Sequence, residues 1–432
     1  MSMDFHDAKP FWWEAAPREA ESNPSLPARC DCLVVGSGYA GLMAALTLAE
    51  AGRFVVVCEA GPPGYGASSR SGGMIGHGHR ISYAMLTQAY GAEKAQALVN
   101  EGIASLDYIK RLIHGRGLDA GLQEVGRLRG AWTGSDYDAM GREADLLRRD
   151  FNLPVDIVAK ADMRKEVATD AYQGGLLFHS HGGVHPARYQ QSLLKEARRA
   201  GAQVLGATPV TGWQRHGKGF HVQTSRGVIE AAELLLATNG YTAKPFRSQA
   251  AALVPIPSFL IATEAIGMER VRALIPHGRM IVETREKHLY YRPSPDGERI
   301  ILGGRAALHP IPLEEARQRL RDELVALFPD LASVPISHTW TGNVAMTRSD
   351  LPGIGQQDGL WYAVGCNGSG VALMTYLGYK LAHKVLGNAE GVTAFDEIPF
   401  RTIPFYDGRP WFLPLMTAWF RARDFWRETI AS

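Results

Sequence analysis

Three glycine-rich clusters carry most of the chemistry legible in this chain. In the first, Gly36-Ser37-Gly38-Tyr39-Ala40-Gly41, each glycine has a mechanical reason. Gly36 permits a tight turn, Gly38 lets backbone approach a phosphate, and Gly41 lets a helix pack on a strand. A helix that begins here turns free N–H groups and a partial positive charge toward a pyrophosphate. Glu59 lies at the distance where an acid accepts hydrogen bonds from a ribose diol. Together these features point to a dinucleotide. The second cluster, within 64–78, reads as a stretch that wraps something, and the third, 365–370, sits before an apolar helix. A glycine-rich turn in that position offers N–H groups to negative charge.

The elements that must hold these clusters follow from periodicity. Residues 31–36 form an apolar, β-branched run that reads as a buried parallel strand. Leu42, Ala45, Leu46 and Ala49 then recur at helical spacing up to Gly52, placed as a C-cap, and 54–58 reads as a second strand. The unit is β-α-β. Residues 83–149 read as largely helical, 187–200 as a helix, and 201–205 with 233–240 as a return to the first sheet. Between 247 and 340 the sequence turns β-rich, with a hairpin of 288–292 and 299–303 around a Pro-Ser-Pro-Asp-Gly turn. A last strand over 359–364 leads through the third cluster into a helix ending near 386.

This order predicts an α/β fold in which a Rossmann-like dinucleotide domain (31–82, 183–246 and 340–390) interleaves with a second domain on a mainly antiparallel sheet. That second domain takes 83–182, with a helical insert, and 247–339. An amino-terminal arm (1–30) and a carboxyl-terminal tail (391–432) flank them.

Composition narrows the partners. With 46% hydrophobic and 21% charged residues and a net charge of +2, the chain resembles an ordinary globular protein and offers no electrostatic case for nucleic acid. Small molecules are the expected partners. Cys30, Cys32, Cys58 and Cys366 show neither paired metal spacing nor a disulfide framework, so no metal site is expected and a reducing, cytoplasmic setting fits. No secretory signal and no membrane-spanning run is evident. The aromatic stretch 411–420 is expected to dock on the protein, with an oligomer contact or a membrane surface as alternatives.

The second cluster decides which dinucleotide. Gly66-Ala67-Ser68-Ser69-Arg70-Ser71-Gly72-Gly73-Met74 resembles the Gly-Ala-Ser-x-Arg-Asn-Gly-Gly stretch of the D-amino-acid oxidase superfamily, which includes glycine oxidase and sarcosine oxidase. Ser71 stands where asparagine is usual. The resemblance continues through Gly183-Val184-His185-Pro186, Ala237-Thr238-Asn239-Gly240-Tyr241 and Trp340-Thr341-Gly342. It extends to Asp350-Leu351-Pro352-Gly353 and Gly365-Cys366-Asn367-Gly368-Ser369-Gly370, covering about 31–386. The terminal stretches Phe11-Trp12-Trp13-Glu14 and 403–414 are most similar to the gamma-glutamylputrescine oxidase branch.

The resemblance implies FAD. It assigns Gly36, Gly38, Tyr39, Ala40 and Gly41 to the pyrophosphate and Glu59 with Ala60 to the ribose side. Ala67, Ser68, Ser69, Arg70, Gly72, Gly73 and Met74 go beside the flavin. Val210, Thr238, Gly240 and Gly342 go around the cofactor, and Gly365, Asn367, Gly368, Ser369, Gly370 and Val371 under the flavin's pyrimidine edge. Cys366 is expected as a small core residue, with covalent flavin attachment as the alternative. For the substrate, the resemblance points to an aromatic and basic set from the β-rich domain, here Tyr291 and Arg305, with a structural or solvent-exposed arginine as the alternative for Arg305. His77 and His79, which flank Gly78 just after the flavin loop, are candidates to line the pocket, with satisfied polar histidines as the alternative. Strand alternation sends Tyr290 and Arg292 to one face and Tyr291 to the other.

The implied activity is oxidation of a carbon–nitrogen bond in an amine or amino acid, a gamma-glutamylputrescine-like amine being favoured. Hydride passes from the α-carbon to flavin N5, the imine hydrolyses, and oxygen or a quinone takes the electrons. A flavin dehydrogenase acting on a carbon–oxygen bond and a non-catalytic flavoprotein subunit stay open as alternatives.

Overall fold

The structure, a computed structural model, describes residues 9–18, 24–285, 288–408 and 410–413. Its first sheet grows from the apolar run Arg29–Val35. That strand pairs in parallel with Val55–Cys58 on one side and Gly227–Leu236 on the other. Gln203–Leu205 extends the sheet beyond Val55–Cys58, and Leu360–Val364 extends it beyond Gly227–Leu236, both in parallel. An antiparallel strand, Gly353–Gln357, closes one edge, and the meander Val210–His216, Gly219–Thr224 and Gly227–Leu236 folds out from the sheet.

The helix Tyr39–Glu50 is buried along almost its whole length, because the sheet covers one side and the helix Gly370–Val385 the other. Its all-round apolar composition is what that double burial requires. The two helices touch closely: a Cβ on Gly378 would stand 2.3 Å from the Ala40 carbonyl oxygen.

The second sheet follows the order Ile336–Met346, Val254–Thr263, Ile300–Gly304, Tyr290–Pro293, Met280–Glu283, Arg127–Gly130, Gly174–Phe178 and Val155–Ala159. All its pairings are antiparallel except Met280–Glu283 with Arg127–Gly130. The α/β fold with a mainly antiparallel second sheet therefore agrees with the sequence reading. The helix Leu313–Leu327 lays Ala316, Leu320, Leu324 and Leu327 over one face of that sheet.

Two details depart from the sequence reading. The stretch 83–149 is largely helical, as the sequence indicates, but it also holds an unexpected strand, Arg127–Gly130, which joins the second sheet between the helices Ala92–Arg116 and Gly134–Phe151. The first of these helices ends, and the second begins, where local signals say they should. Gly117 takes a left-handed φ of +61°, and Thr133 with Asp136 forms a capping box. The short strand between them owes its existence to partners distant in sequence. The second departure is at 340, where the boundary between domains falls inside the continuous strand Ile336–Met346 of the second sheet.

Among the described residues no helix is long and apolar enough to cross a membrane. The aromatic stretch 411–420 lies outside the described residues beyond Leu413, which is itself buried beside Val254, Leu308 and Tyr406.

Candidate functional site

At the first glycine loop, Gly36 adopts φ +103° and Gly41 meets the Gly36 carbonyl so closely that a Cβ would lie 1.9 Å from its oxygen. The turn and the helix packing thus both require glycine. The helix begins after Gly38 with no side-chain cap, so its first N–H groups face outward from the loop. Of these, Tyr39 N donates to Ser68 Oγ (3.1 Å), which binds the first loop to the second. Glu59 Oε2 accepts from Ser37 N (2.9 Å) and Ser37 Oγ (2.7 Å), and Oε1 accepts from Gly61 N (3.2 Å). A carboxylate has about four acceptor positions, so this anchoring leaves capacity for a diol. Ala60 is exposed at the end of the same strand. Thr208 N donates to the Glu59 carbonyl (2.7 Å), tying in the stretch that leads to Val210.

Around the second loop, Ala67–Ser69 form one 3-10 turn. Trp340 Nε1 donates to the Arg70 carbonyl (2.7 Å), and Ser69 Oγ to the Gly64 carbonyl (2.6 Å). The Arg70 side chain does not reach toward the loop's open side. Its Nε donates to the Tyr65 carbonyl (2.8 Å), and its guanidinium lies over Trp13 and Tyr65. Arg70 therefore braces the loop through its packing. Ser71 Oγ accepts from Gly73 N (3.3 Å), a contact within the loop. Gly342 faces Ala67 and Arg70 across the strand Ile336–Met346, and Met74 pairs with Gly183.

The third loop is organised by a residue that the sequence places at the end of the strand 233–240. Asn239, at φ +46°, accepts with Oδ1 from Gly365 N (2.9 Å) and Cys366 N (3.2 Å). Next to it Thr238 packs on Gly36, and Gly240 abuts the Asn343 backbone. Asn367 is turned inward: Oδ1 accepts from Thr347 N (2.8 Å) and Nδ2 donates to the Gly365 carbonyl (2.8 Å). Ser369 Oγ donates to the Gly78 carbonyl (2.8 Å), so the helix Gly370–Val385 starts without a side-chain cap. The N–H groups at Gly370 and Val371 are left for another acceptor. Gly368 is exposed with nothing within 4 Å of where a Cβ would stand, and Cys366 is buried in the first core cluster.

The substrate residues are distributed differently from the sequence expectation. Alternation holds on Tyr290–Pro293, but Tyr291 points away from the glycine loops. Its hydroxyl meets Tyr172 Oη (3.1 Å) and its ring abuts Phe328, in the core under the helix Leu313–Leu327. Tyr290 and Arg292 face the loops instead. A Cβ on Gly72 would come within 2.7 Å of the Tyr290 ring, and Tyr290 Oη meets Ser258 Oγ (2.9 Å). Arg292 donates to the carbonyls of Val184 (2.9 Å) and Gly72 (3.3 Å). The helix Leu313–Leu327 covers the Tyr291 side and leaves Tyr290 on the side of Gly72.

His77 is buried with its ring edge-on to His181, 4.4 Å between centroids, and burial followed by the nearby Arg127 charge pushes it down to about 3. His79 instead turns to the Leu98 carbonyl (2.7 Å). Arg305 is partly buried. With Arg80 and Arg127 it places positive charge around His288, whose imidazole is driven down to about 3, first by burial. The His288 residue itself keeps accessible surface. Arg127, His181 and His288 were missed by sequence reasoning. No local pattern marks them, since Arg127 lies on the unexpected strand.

The site fits a flavin dinucleotide. Two helix N-termini lack caps, a carboxylate stands at the ribose position, and Tyr241 retains 36% exposure although it is wedged against Gly66 and Gly342. Comparison with known proteins points the same way. Residues 31–384 match the family described as DAO, FAD dependent oxidoreductase. The chain is 30% identical over 400 residues to gamma-glutamylputrescine oxidoreductase of Escherichia coli, covering 91% of this chain and 93% of that protein. It is 26% identical to a glycine oxidase of Pseudomonas aeruginosa, covering 79% of this chain and 90% of the relative. Among solved structures, glycine oxidase from Geobacillus kaustophilus superposes with a TM-score of 0.73 at 22% identity, covering 88% of this chain and 99% of that one.

Proposed function

Because the chain belongs to the DAO family of FAD-dependent oxidoreductases, we propose that it oxidises a carbon–nitrogen bond in an amine, favouring one of the gamma-glutamylputrescine type. The relatives named for an amine and for an amino acid support this reading. One structural observation carries it: the Ser369 Oγ bond to the Gly78 carbonyl (2.8 Å) sets the uncapped helix at Gly370 against the chain leaving the second glycine loop. Bound FAD supplies a two-electron acceptor for the hydride that leaves the carbon beside nitrogen, and the resulting imine hydrolyses.

The chain's own groups prepare that transfer. Tyr290, backed by Ser258 and the Gly72 surface, forms a rigid wall on which a substrate is oriented. Arg127 and Arg305 place positive charge nearby, which favours the neutral form of an amine, the form able to release hydride. His77 stays neutral in the same region and cannot oppose this by taking a proton near neutral pH. The N–H groups at Gly370 and Val371 stand ready for negative charge.

The test is anaerobic mixing of the purified, FAD-loaded enzyme with gamma-glutamylputrescine, putrescine, N-methyl amino acids, and D- and L-amino acids. Bleaching of the flavin band by an amine, with gamma-glutamylputrescine fastest, is expected. No bleaching by any of these amines or amino acids, with bleaching by hydroxyacids added as a comparison, would reject the proposal.

A further inference from the structure

Arg127 has no hydrogen-bonded or ionic partner among the described residues. It opens the strand Arg127–Gly130, and its guanidinium extends toward the chain after the second glycine loop. A Cβ on Gly76 would stand 3.0 Å from its Nη1, and one on Gly78 3.9 Å from its Nη2. Its Nε is fully buried with no acceptor, and among the described residues the side chain makes no hydrogen bond and no ion pair. Its one direct contact of note is the Phe178 ring, 5.7 Å from the guanidinium carbon. Neighbouring arginines are engaged: Arg129 pairs with Glu143, Arg80 with Asp350 (3.1 Å), and Arg292 with backbone carbonyls.

A desolvated cation without a counter-charge is costly, and proteins pair or neutralise such groups. Here the strain shows as a guanidinium lowered to about 10, mainly by burial and then by Arg129. His77 and His181 cannot offer negative charge. Both are buried, and each has a ring nitrogen without a partner, Nε2 of His77 and Nδ1 of His181. Two imidazoles and a guanidinium, all with unused polar atoms, therefore converge beside Gly76 and Gly78. The planar fork of a guanidinium matches a carboxylate with two parallel hydrogen bonds.

We propose that Arg127 anchors a carboxylate of the substrate, so that the site selects amines carrying an acid group remote from the nitrogen. This rests on the amine reading above. Gly78 gives the geometry: its carbonyl holds Ser369 at the third loop, while Arg127 stands beside it. A substrate whose acid end sits on Arg127 extends toward the start of the helix Gly370–Val385 and the Tyr290 wall.

The experiment uses the FAD-loaded enzyme, Arg127→Met and Arg127→Lys, each first checked for retained flavin. Glutarate, which cannot be oxidised here, is titrated while the visible flavin spectrum is recorded. Anaerobic flavin reduction is then followed with gamma-glutamylputrescine and with N-acetylputrescine, which lacks the carboxylate. Arg127→Met should weaken glutarate and raise the half-saturating gamma-glutamylputrescine concentration by roughly 30-fold or more, as for loss of one partner of a buried charge pair. Arg127→Lys should fall between, and the half-saturating concentration of N-acetylputrescine should change by far less than that of gamma-glutamylputrescine. If Met loses flavin, the Lys variant carries the comparison. Equal glutarate affinity in the parent and the variants overturns the anchor, even if amines bleach the flavin. Arg127-dependent glutarate binding with no amine bleaching upholds the anchor and removes the amine reading instead.

Discussion

Alanine at position 41 gives the sharpest test of the cofactor site. Its Cβ would lie 1.9 Å from the Gly36 carbonyl oxygen and 3.1 Å from the carbonyl carbon. That is roughly 1 Å short of any tolerated contact, and the partner is backbone that cannot rotate away. The strand ending at Val35 is held on both sides by parallel pairing, so the helix Tyr39–Glu50 is the part that must yield. Moving its first turn by about 1 Å lengthens N–H···O bonds to a phosphate from about 2.9 Å to beyond hydrogen-bonding range. Hydrogen bonds to a charged group contribute about 1.5–3 kcal/mol each, so losing two weakens FAD binding by about 3–6 kcal/mol, or roughly 100-fold to 10,000-fold. Titration of the apoprotein with FAD, read by quenching of flavin fluorescence, measures this directly. A Gly41→Ala protein whose dissociation constant stays within about threefold of the parent would refute the close-packing argument.

Other positions give further tests. Gly115 is exposed in the helix Ala92–Arg116 with nothing within 4 Å of a Cβ, so Gly115→Ala should raise stability by about 0.5–1 kcal/mol in urea unfolding, and a loss would contradict the assigned helix. Tyr291→Phe should cost about 1–2 kcal/mol by stranding the Tyr172 hydroxyl, with the flavin-reduction rate unchanged; a large fall in rate would restore Tyr291 to the site. Burial holds His77 down to about 3 and His185 down to about 4, below the usual imidazole value near 6.5. The unfolded chain therefore takes up these protons first, and stability present above about pH 6.5 is lost as pH falls toward those values. The expected slope is roughly 1.4 kcal/mol per pH unit for each imidazole, and a urea midpoint unchanged between pH 7 and pH 5 would reject it.

Much of this architecture is legible in the sequence. The strand 31–36, the glycine turn and the helix ending at Gly52 appear as Arg29–Val35, the 36–41 loop and Tyr39–Glu50. The helix expected at 187–200 appears as Pro186–Arg199, where Pro186 occupies the first turn and His185 Nδ1 accepts from Arg188 N (3.3 Å). These are local effects, decided by a few consecutive residues. Arg127–Gly130 was hidden because it is a short strand set between two well-signalled helices. Only pairing with Met280–Glu283 and Gly174–Phe178 stabilises it.

The sequence by itself determined where the backbone must turn tightly, where a helix must begin uncapped, and that Tyr290 and Tyr291 lie on opposite faces. Glycine spacing and strand alternation are properties of neighbouring residues, so they need no fold to be read. Tertiary structure decided which face looks at the loops, because the helix Leu313–Leu327 buries Tyr291 and leaves Tyr290 toward Gly72. It also brought Arg127 beside Gly76 and Gly78. That meeting depends on two sheets packed from separate stretches of chain, and no local pattern records it.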